Sequence, residues 1–302
     1  MYLAVNKLHT SALHSQAIVR IQASASNGRW FALLDRAFDH DRKKTLRWPH
    51  ASEALYKGSD GIDAVSPTLL QMSSSTSEAL THEIASLLRY CQGRPMLSFV
   101  QSSLDIHDLA ASWQDVKWAH TEDGQRFLLR WADTRVLSFL PDVLHAHNWG
   151  RIAKPLLAWF TVDRFGDLQA LKMGSVSSHC SEEPVHLGPL RLEDKELASL
   201  LDAAQPDVLI NMLFEQIPDV LPVGVEQAKV YSWVQKACDF ASQHGIDAAG
   251  DQLALAAATC LTEGAVLADS KLTGLLCSHQ PGQTSLADIL TELLPVDEVS
   301  AP

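Results

Sequence analysis

Cysteine is scarce and scattered in this sequence. Five residues (Cys91, Cys180, Cys238, Cys260 and Cys277) are spread over 302 positions, odd in number and never spaced C-x-x-C. No disulfide framework is expected, and a reducing compartment is. Long apolar runs are missing as well. The stretch of lowest polarity, Leu253 to Leu261, is too short and too rich in alanine to span a bilayer. The opening residues, MYLAVNKLHT, show no basic start followed by an apolar block and a cleavage site, so a cytoplasmic location is expected. Basic residues are rare in the last third. Residues 188–302 hold 5 Lys/Arg against 17 Asp/Glu, while residues 1–187 hold 19 of each, so the net charge of −12 lies wholly in that last part (5 − 17 = −12). A surface of that sign repels phosphate backbones and anionic lipid, which argues against nucleic acid and membrane as partners. The acidity reads as a solubilising face, with docking of a basic partner as the alternative.

Signatures of catalysis are also lacking. There is no G-x-x-x-x-G-K-[ST] loop, no G-x-G-x-x-G after a strand and no G-x-S-x-G elbow. His82-Glu83 begins like a zinc-protease helix, but Ser86 stands where the second histidine would be. His145-Ala146-His147 places two imidazoles two residues apart without a third ligand in sequence; a metal-dependent hydrolase built on His145 and His147 is the rival reading. His179-Cys180 with His186 matches no zinc module. No catalytic residue, metal or cofactor is therefore expected. Cys238 and Cys260 lie on helical apolar faces and read as core thiols. Eight tryptophans, five of them from Trp113 to Trp159, adjoin apolar runs and read as packing rather than as a stacking platform.

What is present is ordinary globular material: 46% hydrophobic and 20% charged residues, at a length suited to two domains. Residues 1–29 read as irregular, with a short strand possible at Ala17–Gln22. From Trp30, apolar runs alternate with helical patterns. Trp30–Leu34, Pro67–Gln71, Met96–Gln101 and Arg126–Trp131 read as strands. Helices are expected from Thr76 or Ser77 to Gly93, from a Ser103 cap to Trp113, and from an Asp133 cap to about Pro141. Residues 156–173 read as a hairpin around Gly166-Asp167. Residues 174–189 have the composition of a linker. Beyond Leu192 only helices are expected: one with Pro206 in its first turn, Val225–His244, one capped by Asp247, and Leu286–Leu294 after Ser285. The fold class is thus α/β (α+β), a mixed sheet flanked by helices over 30–173, followed by an all-α acidic lobe over 190–302. Glu193, Asp194 and Glu196 are expected on the exposed first turn of the lobe.

Four segments carry a pattern. Trp30-Phe31-Ala32-Leu33-Leu34-Asp35-Arg36-Ala37 comes first, followed by Leu55-Tyr56-Lys57-Gly58. Val65-Ser66-Pro67-Thr68-Leu69-Leu70 is third, and Arg130-Trp131-Ala132-Asp133-Thr134-Arg135-Val136-Leu137 fourth. In order and spacing they resemble the adaptor-chaperone family of type VI secretion, long catalogued as a domain of unknown function, over about residues 30–145. Thr134 stands where that family has proline, and Ala132 where it has an aromatic residue. The resemblance implies a non-enzymatic protein that binds a toxic effector in the cytoplasm and assists its loading onto a VgrG-type spike. An immunity-type protein that binds and inhibits a toxin is a further alternative. The residues carrying the pattern are Trp30, Leu34, Asp35, Tyr56, Pro67, Arg130, Asp133 and Arg135. The polar ones either fix strand and helix ends, with Asp133 as a cap and Arg135 paired to a carboxylate such as Asp35, or line a client groove.

Overall fold

The computed structural model describes residues 2–8, 10–24, 28–40, 45–58, 61–74, 78–173, 188–278 and 286–293. The chain forms two compact units, residues 5–202 and residues 1–4 with 203–302. The larger unit opens with a helix, α1 (Thr10–Ala23), where irregular chain and a short strand were expected. Leu13, Ala17 and Ile21 are buried at four-residue spacing, which is a helical period. The six-residue alternation at 17–22 was too short a window to reveal it.

Then come β1 (Arg29–Leu34), β2 (Ser52–Ala54), β3 (Thr68–Gln71), α2 (Glu78–Tyr90) and β4 (Leu97–Ser102). After α3 (Ile106–Ser112) follow β5 (Trp118–His120), β6 (Arg126–Leu128), α4 (Thr134–Leu137), α5 (Leu140–Val143) and α6 (Ala146–Ala153). The hairpin β7 (Ala158–Val162) and β8 (Leu168–Ala170) precedes β9 (Leu190–Arg191). Six strands make the larger sheet in the order β2-β3-β1-β4-β7-β8, and every neighbouring pair is antiparallel. Parallel pairing occurs only in the second sheet among the described residues, between β5 and β9 in the order β6-β5-β9.

The central strand β1 is covered on both faces, which is why its sequence is continuously apolar. Phe31 and Leu33 point into a core with Val100, Trp113, Trp131, Trp149 and Trp159. Trp30 points the other way and stacks on Phe160 at 5.7 Å, beneath Arg20 of α1. The four core tryptophans form one cluster: Trp113 and Trp131 centroids lie 4.8 Å apart, and Trp149 stacks on Trp159 at 5.8 Å. Trp113 and Trp149 donate their ring N–H to the carbonyls of Ile152 and Lys172, each at 2.9 Å. These tryptophans are packing residues.

Several local boundaries differ from the sequence expectation. Asp105, not Ser103, caps α3, accepting from the N–H groups of His107 and Asp108 at 2.9 Å. The strand expected to reach Trp131 ends at Leu128, because Trp131 N–H turns back to Leu129 C=O. Pro141 opens α5 rather than stopping α4; at the first turn its missing N–H costs no helical bond. The expected cap at 76–77, residues 174–187 of the expected linker 174–189, with His179, Cys180 and His186, and the cap Ser285 lie outside the described residues.

The second unit is helical, and α7 (Asp194–Gln216) runs into it from the first, the division falling between Asp202 and Ala203. Pro206 lies well inside this helix rather than at its start, leaving the Asp202 carbonyl without its helical donor. α8 (Gln227–Gln243) ends at left-handed Gly245, and Ala248 rather than Asp247 precedes α9 (Ala249–Leu261). α10 (Ser270–Ser278) and α11 (Leu286–Leu293) complete it. Leu209, Ile210, Leu213, Trp233, Val234 and Cys260 form one core; Ala237, Leu255, Leu272, Leu286 and Ile289 form another. No described helix is long and apolar enough to cross a membrane.

Glu196 overturns one expectation. It is only 6% exposed, not part of an acidic surface. Its carboxylate accepts from Glu193 N–H at 2.9 Å, one arm of a capping box, from His145 N–H at 2.6 Å and from Asn148 Nδ2 at 3.0 Å. Glu196→Ala is expected to lower the unfolding free energy by about 1–3 kcal/mol, because buried donors lose their acceptor. Asp194→Lys, on the same turn but exposed, is expected to shift it by less than about 1 kcal/mol. Urea titration of both variants measures the contrast; equal effects contradict it.

Candidate functional site

The four motif segments converge where β1 ends and α4 begins. Leu34, the last residue of β1, is held between Thr68 of β3 and Leu97 of β4. The next residue, Asp35, leaves the sheet and caps a 3-10 turn over Arg36–Asp39, accepting from Ala37 N–H at 3.0 Å. That turn presents Phe38. On the other side, Arg130 and Trp131 precede Asp133, which caps α4 by accepting from Arg135 N–H at 3.1 Å. Thr134 N–H donates to Pro95 C=O, tying α4 to the approach of β4.

Two carboxylates and two guanidinium groups meet there. Arg130 donates to Asp35 at 2.7 Å and lies 3.5 Å from Asp133. Arg135 grips Asp133 through Nε at 3.1 Å and a terminal nitrogen at 2.8 Å, the two-pronged geometry that suits a carboxylate. Arg135 was expected to pair with a carboxylate such as Asp35. Asp35 instead takes Arg130, because the cap at Asp133 already holds Arg135 two residues away. Both guanidinium groups also approach the Phe38 ring, at 5.1 and 5.3 Å from its centroid. Phe38 was not singled out from sequence; its signal is the place three residues after Asp35, on one turn.

Tyr56 and Pro67 support this corner from the β2–β3 connection. Tyr56 is buried, and its N–H is held by Ser66 Oγ at 2.9 Å; Pro67 C=O accepts Leu55 N–H at 2.9 Å. The Tyr56 hydroxyl has no hydrogen-bond partner and is pushed up by burial first and then by the Asp35 charge. Trp30 stands apart from the cluster, at the other end of β1.

The electrostatics are those of a closed lock. Asp35 and Asp133 are 2% and 1% exposed, and the two pairs are neutral together. Burial raises the Asp35 carboxyl above its ordinary value, and Arg130 opposes this without overcoming it. A cleft of about 270 Å³ lies at the opposite end of β1, lined by Gly28, Arg29, Trp30 and Ser73 among others, and includes none of the four charged residues.

The histidine readings resolve differently. His145 is the cap of α6, its ring accepting from His147 N–H at 3.3 Å, and both histidines are exposed. No group of three His, Cys, Asp or Glu is placed to hold a metal among the described residues. Glu83, passed over with His82, is buried and accepts from Ser73 N–H at 2.9 Å, from Ser73 Oγ and from His50 Nε2 at 2.7 Å. The same Nε2 lies 3.1 Å from Ser73 Oγ. One ring nitrogen serves both partners, whereas a Ser-His-acid relay needs the two nitrogens divided between them. The group ties α2 to the segment after β3 and to the one before β2. Cys238 and Cys260 are both pushed up to about 12, mainly by burial, which leaves them as thiols.

Two outcomes follow. Arg135→Ala is expected to cost about 1–3 kcal/mol in urea unfolding, because Asp133 stays buried with two charged bonds removed. Arg135→Lys is expected to recover only part, since an ammonium cannot span both oxygens. For Asp35, a raised folded-state value means stability that is complete at low pH and lost as pH rises. The difference in unfolding free energy, wild type minus Asp35→Asn, is therefore expected to fall from about pH 4 towards pH 7. A difference that grows with pH overturns this assignment.

Comparison with known proteins gives one match, to a family model. No curated protein and no solved structure matches the chain. Residues 30–151, a segment that includes all eight motif residues and lies inside the larger unit, match the family model of a domain of unknown function, DUF4123.

Proposed function

We propose that this chain is a cytoplasmic adaptor chaperone of type VI secretion, a binding protein and not an enzyme, which holds a toxic effector and assists its loading onto a VgrG-type spike. The observation that carries this reading is the match of residues 30–151 to DUF4123. The four sequence segments that resemble the adaptor family all fall in that stretch. Their charged residues meet at one buried corner, paired with each other rather than aimed into a cleft. Such residues maintain a platform, and surfaces elsewhere on it make the contacts.

The test is genetic and biochemical together. Deleting the gene is expected to abolish release of one effector, encoded nearby, while the secretion apparatus still fires and releases its other substrates. The purified chain is expected to form a stable complex with that effector, and with effector and spike together, by size-exclusion chromatography. Unchanged effector release in the deletion strain rejects the adaptor role. Loss of toxicity through stoichiometric inhibition, with release unaffected, assigns an immunity role instead.

A further inference from the structure

The end of α7 breaks a local electrostatic rule. Its last turn carries Glu215 and no basic residue, although the carbonyls gathered at a helix C-terminus make it negative and favour a cation there. Asp219 follows on the 3-10 turn Pro218–Val220. Both carboxylates are exposed, and among the described residues neither has a hydrogen-bonding or ionic partner. Residues 203–228 contain no Lys, Arg or His. The first cation beyond them, Lys229, is already engaged: it lies 3.8 Å from Glu263 and 5.1 Å from the Trp233 ring centroid. α9, which packs against the 3-10 turn, has no basic residue either. The unit made of residues 1–4 and 203–302 holds 3 Lys/Arg against 13 Asp/Glu, a net charge of −10 (3 − 13 = −10).

Apolar side chains stand exposed at the same place. Phe214 and Ile217 lie one turn apart on one face, because Ile217 N–H still donates to Leu213 C=O at 2.9 Å. Tyr2, half-buried, lies against Phe214 at 6.2 Å between ring centroids. Six consecutive residues, Phe214 to Asp219, are open to solvent. Val223, in the connection to α8, is fully exposed. A negative charge at a helix C-terminus costs stability, and exposed Phe and Ile gain none, so the folded chain alone does not account for this end.

We propose that the end of α7 and the turn after it dock a basic amphipathic segment of a protein partner, with lysine or arginine on Glu215 and Asp219 and an apolar side chain on Phe214 and Ile217. Charge complementarity selects the occupant. Two free carboxylates and a negative helix end call for a cation that the surrounding chain does not supply. Nucleic acid and anionic lipid bring the wrong sign. A second copy of the chain carries −12 and is repelled. The proposal does not rest on the secretion role, and its test needs no secretion apparatus.

The probe is a fluorescent peptide of about a dozen residues, with leucines at helical spacing and lysines between them, titrated with the full chain near physiological salt. A peptide with glutamine for lysine and one with serine for leucine are run beside it. The basic amphipathic peptide is expected to bind saturably, the glutamine peptide at least about tenfold more weakly and the serine peptide several-fold more weakly. Glu215→Lys with Asp219→Lys is expected to weaken binding by at least about tenfold, and Ile217→Ser by several-fold. The control is Asp239→Lys with Asp247→Lys, the same change in net charge at exposed positions. Asp239 lies about 18 Å along α8 from its start, and this pair is expected to change binding less than about threefold. An unchanged circular dichroism spectrum and a melting temperature no lower than that of the wild type certify the variants. If the double reversal does not fold, Glu215→Gln with Asp219→Asn replaces it, with the same direction expected. No saturable binding of the basic amphipathic peptide overturns the proposal. So does equal binding of the glutamine or the serine peptide, or equal loss in the control pair. A dimer of the chain at the titration concentration that Ile217→Ser dissolves also overturns it, by making a second copy the occupant.

Discussion

The ion pair between Arg130 and Asp35 joins positions 95 residues apart in sequence. One partner ends the central strand and the other leads into the helix that covers it. Asp35 is almost wholly buried, so its charge is expensive unless a cation is held against it. Asp133 is in the same condition and is answered by Arg135. Phe38 fills the space that both guanidinium groups approach. Removing either guanidinium leaves a buried carboxylate without its closest cation.

Behind this corner the interior is unusually aromatic. Trp113, Trp131, Trp149 and Trp159 fill the space between the larger sheet and the helices α3 to α6. Large rigid rings leave few alternative packings, which favours a fixed platform over an adaptable groove. A fixed platform with its charges paired internally suits a protein that presents surfaces to others. The Cys238 and Cys260 thiols, pushed up to about 12, and the single-nitrogen arrangement at His50, Ser73 and Glu83 do not offer a nucleophile.

Much of this was readable in the residues. Continuous apolar runs marked β1, β3 and β4, and the Gly166-Asp167 turn marked the β7–β8 hairpin. Asp133 as a cap followed from its position before an apolar helical stripe. α1 escaped notice because its polar and small residues dilute a stripe of only Leu13, Ala17 and Ile21. Asp105 won the cap of α3 over Ser103 because a carboxylate there reaches two N–H groups at once. Pro206 was assigned to a helix start on propensity, yet the tertiary core around Leu209, Ile210 and Leu213 sustains the helix through it.

The sequence by itself determined the kinds of most elements from Trp30 onward, the concentration of acidic charge in the last third and the four charged residues, Asp35, Arg130, Asp133 and Arg135, that meet at the motif corner. Each of these depends on local pattern or on composition. Only the tertiary structure decided who partners whom. That Asp35 takes Arg130 and leaves Arg135 to Asp133 depends on distances across 95 positions, which no local rule encodes. That Glu196 is a buried acceptor for His145 and Asn148 rather than a surface charge depends on where α6 lies against the start of α7. Trp118 likewise is only half-buried, unlike Trp113, Trp131, Trp149 and Trp159, because strand alternation at the buried Ala119 turns it to the other face. Charge and aromaticity are properties of residues, but burial is a property of the fold, and burial sets what each of them costs and can do.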